Sequence, residues 1–154
     1  MRRARPKRGA YLAAPLFTPA ERALNLQIDA VLSRHFEVFL PQRDGHLIPG
    51  RRLNQQSFNR VARRVFAGDI EAITGSDVVL AVLDGRTIDE GVAFELGVAF
   101  ALKKVCVGFR TDSRVLLPWG INPMIEGALS DSVSSLAQLR RWAELSGRRT
   151  PKQP

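Results

Sequence analysis

The chain has 154 residues, 45% apolar and 25% charged, proportions that suit one soluble globular domain with a core of its own. Its single cysteine excludes a disulfide framework and a clustered zinc motif, and two histidines leave little for metal or histidine-dependent nucleophilic chemistry. No apolar run approaches the ~20 residues that span a bilayer, so a soluble, cytoplasmic protein is expected.

The net charge of +8 is concentrated at the ends. Residues 1–8 hold five basic groups, and Arg148, Arg149 and Lys152 lie in a proline-containing stretch at the other end. Neither segment carries enough apolar surface to offset the entropy of ordering, so residues 1–8 and 147–154 read as solvated, disordered tails around a domain at 9–146. No long apolar run follows the basic start, so a secretory signal is not expected. Weak, salt-sensitive attraction to nucleic acid is the most such tails imply, because no basic stripe with interleaved aromatics marks a folded reading face.

Residues 9–16 (GAYLAAPL) form the first strand candidate, ending towards Pro15. Thr18, Pro19 and Glu21 then make a capping box with proline at the first helical position. That helix is expected to run to about His35, with Ala23, Leu24, Ile28, Val31 and Leu32 inward. A short strand at 37–40 stops at Pro41. The connection 41–56 is polar and long for a compact domain, and such loops are often functional, so Gln42, Arg43, Asp44 and His46 are candidates to touch a substrate. A helix over 57–74 follows, with Val61, Val65, Phe66, Ile70 and Ile73 at helical spacing and Asp69 among them.

Residues 78–83 (VVLAVL) are too few for a typical helix and read as a strand buried on both faces, as in a parallel sheet. Asp84-Gly85 ends it, and a helix begins near Asp89 or Glu90. In this helix Glu95 is the only charge between Glu90 and Lys103, surrounded by apolar residues, with Gly91 and Gly97 on either side. On an arbitrary helix such a residue faces solvent. This helix is apolar nearly all round, as buried helices are, so the lone carboxylate needs a partner or a chemical role. Gly91 leaves space for a ligand or another backbone to approach. Cys106 falls in a fourth strand, 105–109, and reads as a small buried hydrophobe. A short fifth strand is expected at 127–129 and a last helix at 133–145, with Leu136, Leu139, Trp142 and Ala143 inward. This alternation gives an α/β fold: a doubly wound parallel sheet of about five strands with helices on both faces. Ligands of such sheets bind outside the carboxyl ends of the strands, where Asp89 lies. A P-loop, a dinucleotide-binding glycine motif and a nucleophile elbow are all absent from the sequence.

Tyr11 to Phe17 (YLAAPLF), Asp69 in GDIEAI, the segment DEGVAFELG and Asn122 to Ile125 (NPMI) occur in this order over residues 9–130. Together they resemble the nucleoside 2-deoxyribosyltransferase family, the pair Asp89 and Glu95 being the most specific part. The resemblance implies a flavodoxin-like sheet of order 2-1-3-4-5 and a retaining exchange of nucleobases on 2-deoxyribose without a cofactor or metal. It implies Glu95 as the nucleophile, Tyr11 as the group that orients it, and Asp69 and Asp89 as residues that hold the base, one able to protonate it on departure. With Gln42, Asp44 and Gly91 from the reading above, Phe17, Asn122 and Met124 complete the expected substrate contacts. Asn122 would be contributed to a neighbouring subunit's site, so a homo-oligomer is implied.

The related 2-deoxynucleoside 5-phosphate N-hydrolases resemble the chain almost as well. They use the same tyrosine, aspartate and glutamate but pass the sugar to water and require a phosphate. Arg22, Arg43, Arg51 and Arg52 could serve that phosphate, whereas Glu126 would repel it. A non-catalytic nucleotide-binding module has no use for a buried nucleophile. Proximity to a helix N-terminus and donation from Tyr11 are both expected to favour ionised Glu95.

Overall fold

A computed structural model describes residues 7–49, 52–114 and 120–147. The basic ends called tails above lie outside the described residues apart from Lys7, Arg8 and Gly147, and so does Arg51. In chain order the elements are β1 (Arg8–Ala13), α1 (Pro19–Leu32), β2 (Phe36–Phe39), α2 (Pro41–Asp44), α3 (Gln55–Gly75) and β3 (Val78–Val82). There follow α4 (Glu90–Ala101), β4 (Val105–Phe109), α5 (Pro123–Glu126), β5 (Asp131–Val133) and α6 (Leu136–Gly147). The five strands form one wholly parallel sheet of order β2-β1-β3-β4-β5. The chain therefore has the flavodoxin-like α/β architecture.

Strand alternation divides the core in two. Ala10, Leu12, Val78, Leu80, Val107 and Phe109 face α1 and α6, meeting Ile28, Leu32, Leu139 and Ala143. Tyr11, Ala13, Val79, Ala81 and Cys106 face α3 and α4, meeting Ile73, Val92, Leu96 and Ala99. The strand β1 is interior, with Tyr11 paired to Phe39 of β2 on one side and Val79 of β3 on the other.

Local chemistry sets the boundaries. Thr18 closes a complete capping box, accepting from Glu21 N while Glu21 Oε2 accepts from Thr18 N at 2.8 Å. Asn54 caps α3 and Asp89 caps α4, each by accepting a backbone N–H three residues on. After β3, Gly85 takes a φ of 109°, a left-handed turn conformation that suits glycine. Here Asp84 accepts from Thr111 N and Oγ1 and from Asp112 N, clasping the carboxyl ends of β3 and β4 together.

Five expectations are corrected. The first strand starts at Arg8 and ends at Ala13, because residues 14–18 turn toward the α1 cap. The connection after β2 opens with the short helix α2, which Pro41 starts and the Asp44 carboxylate braces by accepting from Leu40 N. The fifth strand is Asp131–Val133, not 127–129, since residues 127–129 form the turn that follows α5. Accordingly the last helix begins at Leu136, not at Val133. The helix expected to be buried all round is not: Phe94 is 54% exposed and Phe100 57%.

Candidate active site

The site grows from the residue that alternation sends from the interior strand to the α3 and α4 side. Tyr11 is fully buried, its ring stacked on Phe39 at 5.6 Å. Its hydroxyl donates to Glu95 Oε1 at 2.6 Å. Burial, reinforced by Glu95, raises the phenol far above its ordinary range, so Tyr11 remains a donor at every pH the fold meets.

Glu95 is reached from α4, whose entrance is fixed by Asp89. The Asp89 Oδ1 accepts from Val92 N at 3.1 Å. A Cβ added at Gly91 would lie 3.0 Å from that same oxygen, so glycine here leaves the capping carboxylate room. Asp69 comes from the facing helix α3. Together Asp69 and Glu95 are the carboxylates of a cleft of about 240 Å³ between α3 and α4. Its apolar wall includes Phe66, Ile70 and Phe94, with Ile48 from the connection after α2. The rings of Phe66 and Phe94 are 5.9 Å apart.

Desolvation raises Glu95 from 4.5 to about 7; the Tyr11 hydrogen bond opposes this, and the charges of Asp69 and Asp89 add to it. Tyr11 donation therefore favours the anion, as expected, but burial outweighs it. Burial also raises Asp69, against the lowering influences of Tyr11 and His46. Both carboxyls are thus raised by burial, each within reach of the Tyr11 hydroxyl, and paired carboxyls with shifted pKa values are the groups that divide acid and base roles.

The structure thus brings together Tyr11, Asp69 and Glu95, with Asp89 and Gly91 at the α4 entrance. The remaining candidates stand elsewhere. Phe17 is 74% exposed on the loop after β1. Gln42 accepts from Asn25 and donates to the Arg22 carbonyl. Asp44 is held by Leu40 N and by Arg43, which keeps its carboxyl below the usual range. Asn122 caps α5 by accepting from Met124 N, and Met124 is 82% exposed. None of these five lines the cleft. Of the arginines considered for a phosphate, Arg43 is paired with Asp29 and Asp44, and Arg22 donates to the carbonyls of Leu16 and Phe17.

Sequence reading missed Ile48 and Phe94 as cleft residues and noted Phe66 only for its helical spacing. Phe94 carried a signal, since it adjoins Glu95 on a helix too apolar for an exposed surface; Ile48 carried none. A larger cleft of about 500 Å³, lined by Asn25, Asp84, Gly85 and Thr111 among others, contains none of Tyr11, Asp69, Asp89, Gly91 and Glu95. Among the described residues no group of three or more His, Cys, Asp or Glu is placed to hold a metal ion. No described helix is long and apolar enough to cross a membrane.

A sequence model described as nucleoside 2-deoxyribosyltransferase matches residues 10–140. No curated protein sequence matches the chain. Among solved structures, a conserved protein from Enterococcus faecalis V583 is 26% identical, with 91% of this chain and 99% of that one covered and a TM-score of 0.72. A 2-deoxyribosyltransferase from Bacillus psychrosaccharolyticus shares the fold at 23% identity, covering 94% and 99% with a TM-score of 0.73. A CMP N-glycosidase from Clostridium botulinum shares it more distantly, at 16% identity, covering 90% and 98% with a TM-score of 0.55.

Proposed function

This chain belongs to the nucleoside 2-deoxyribosyltransferase family, and from that premise we propose that it exchanges the nucleobase of 2-deoxyribonucleosides, with retention, through a deoxyribosyl ester on Glu95. The observation that carries this reading is the 2.6 Å hydrogen bond from the buried Tyr11 hydroxyl to Glu95 Oε1 at the wall of a cleft shared with Asp69. Tyr11 fixes one carboxylate oxygen and leaves Oε2 to attack the anomeric carbon as the glycosidic C–N bond breaks. The base leaves with the bonding electron pair and takes a proton, because a free base anion is a poor leaving group. Asp69 is the donor, since it shares the cleft with Glu95 while Asp89 is occupied as the α4 cap. The incoming base attacks the same carbon, returns the Glu95 carboxylate and passes its own proton to Asp69. Two inversions give retention. A sugar lacking the 2-hydroxyl ionises more readily and leaves room beside the carboxylate.

Phe17, Gln42, Asp44, Asn122 and Met124 lie off this cleft, so their proposed contact with substrate depends on a neighbouring subunit or on closure of the surrounding loops. We infer a homo-oligomer in which Asn122 and Met124 reach the neighbour's cleft. The exposure of Met124, Phe94 and Phe100 supports such an interface. Light scattering should then give at least a dimer, and mixing Glu95→Ala with Asn122→Ala subunits should recover activity that neither has alone. A fully active monomer overturns the shared site.

The decisive assay incubates the protein with deoxyinosine or thymidine plus free adenine or cytosine, and separately with deoxynucleoside monophosphates. A new deoxynucleoside is the expected product. Free base released from monophosphates alone, with no new nucleoside, replaces the transferase with a hydrolase.

A further inference from the structure

We propose that His46 is a positioning residue of this site, seated on the bare backbone of Gly68 and setting the protonation of its neighbour Asp69. The inference rests on the reading of Asp69 as the proton donor to the leaving base. His46 lies on the connection between α2 and α3, and two residues on, Ile48 forms part of the cleft wall. The connection is thus laid back along α3 instead of standing away from it. The imidazole occupies the space a side chain at position 68 would need: a Cβ on Gly68 would come 3.3 Å from Cδ2 and 3.9 Å from Nε2 of His46. A glycine in the middle of a 21-residue helix lowers helix stability, so its presence needs a reason, and this contact supplies one. The very next residue is Asp69.

Three other titratable groups bear on the pair. Tyr11 reaches Asp69 from β1, Glu95 faces it from α4, and Asp89 at the α4 entrance bears in turn on Glu95. Tyr11, Glu95 and Asp89 are neutral or negative, so among the described residues His46 is the group whose charge lowers Asp69. A charge on His46 holds Asp69 ionised. Its loss lets Asp69 keep a proton to higher pH, the form that serves the leaving base. The docking of the connection on Gly68 sets how strongly that charge acts on Asp69.

The test follows the Asp69 carboxyl carbon by ¹³C NMR across pH in the full chain, assigned by its loss in Asp69→Asn. His46→Gln, which keeps a polar side chain without the charge, should move the Asp69 titration to higher pH by about half a unit or more. His46→Lys should restore most of the wild-type position. Gly68→Ala should crowd the imidazole and move the titration in the same direction by less, with unchanged or raised Tm because alanine favours the helix. In the kcat/KM profile the descending limb should shift upward with the same ranking. An Asp69 titration unmoved by His46→Gln overturns the inference. A protein that transfers no deoxyribose while the titration still shifts refutes the function proposed above but leaves His46 acting on Asp69.

Discussion

The two faces of the sheet are built from alternate residues of the same strands, yet they differ in kind. On the α1 and α6 side, Leu12, Leu80 and Phe109 meet Ile28, Leu32 and Leu139, all closed to solvent. On the α3 and α4 side the same strands contribute Tyr11 and Ala13, the facing helices bring Asp69 and Glu95, and Phe66, Phe94 and Phe100 are more than half exposed. One face is a finished core. The other holds partly desolvated carboxylates and uncovered aromatics, which weaken a monomer and are tolerated because the first face supplies the stability. Along β1, a step of one residue separates the two roles.

The largest test of that division is Glu95→Ala, which should cut base exchange to below about one thousandth of wild type while the melting curve stays close to it. Retention of more than a few per cent of turnover would remove Glu95 as nucleophile. Ile28→Ala attacks the other face and should destabilise by about 2–5 kcal/mol in denaturant titration, with turnover unchanged at temperatures below its midpoint. If its turnover fell while the protein was still folded, the faces would be coupled.

Two smaller effects sharpen the comparison through pH. The folded Glu95 holds its proton up to about 7 against 4.5 for the free side chain, so the folded state binds more protons in that window and stability falls as pH rises through it. Glu95→Gln removes this loss and should be more stable than wild type at pH 8 by up to about 3 kcal/mol, with little difference at pH 4. Equal shifts at both pH values would mean that ionisation is not the cause. Tyr11→Phe deletes the donor that favours the anion. The ascending limb of kcat/KM, which the Glu95 carboxyl should place near pH 7 in wild type, should move up by about one unit. A downward or absent shift would show that Tyr11 does not govern Glu95.

What was legible in the sequence is what local pattern encodes. The run 78–83, the capping box at Thr18 and the helix entrance near Asp89 located strand and helix starts, and the isolation of Glu95 in an apolar helix pointed to the site. The resemblance then joined it to Tyr11 and Asp69, which lie far away in the chain and meet only because β1 is interior and α3 crosses its face. The fifth strand was misplaced because Asp131–Val133 has three residues, two of them exposed and polar, so no alternation marks it. The turn into α2 was hidden in a polar stretch whose order comes from Asp44 bonding back to Leu40. Ile48 could not be found at all, since nothing near it in sequence reports that its loop returns to α3. The exposure of Phe94 and Phe100 was unreadable for the opposite reason: composition predicts a covered helix, and nothing in the pattern says which of its apolar residues stay uncovered.

The place of Tyr11 on an interior strand has a consequence for how the protein wears out. Edge strands and helix ends open by local fluctuation long before a domain melts, and groups carried on them are lost early. Tyr11 sits between two hydrogen-bonded neighbours, so its backbone amide is released only when the sheet itself comes apart. Heat inactivation should then track the global transition, with no earlier phase in which a folded but idle protein accumulates.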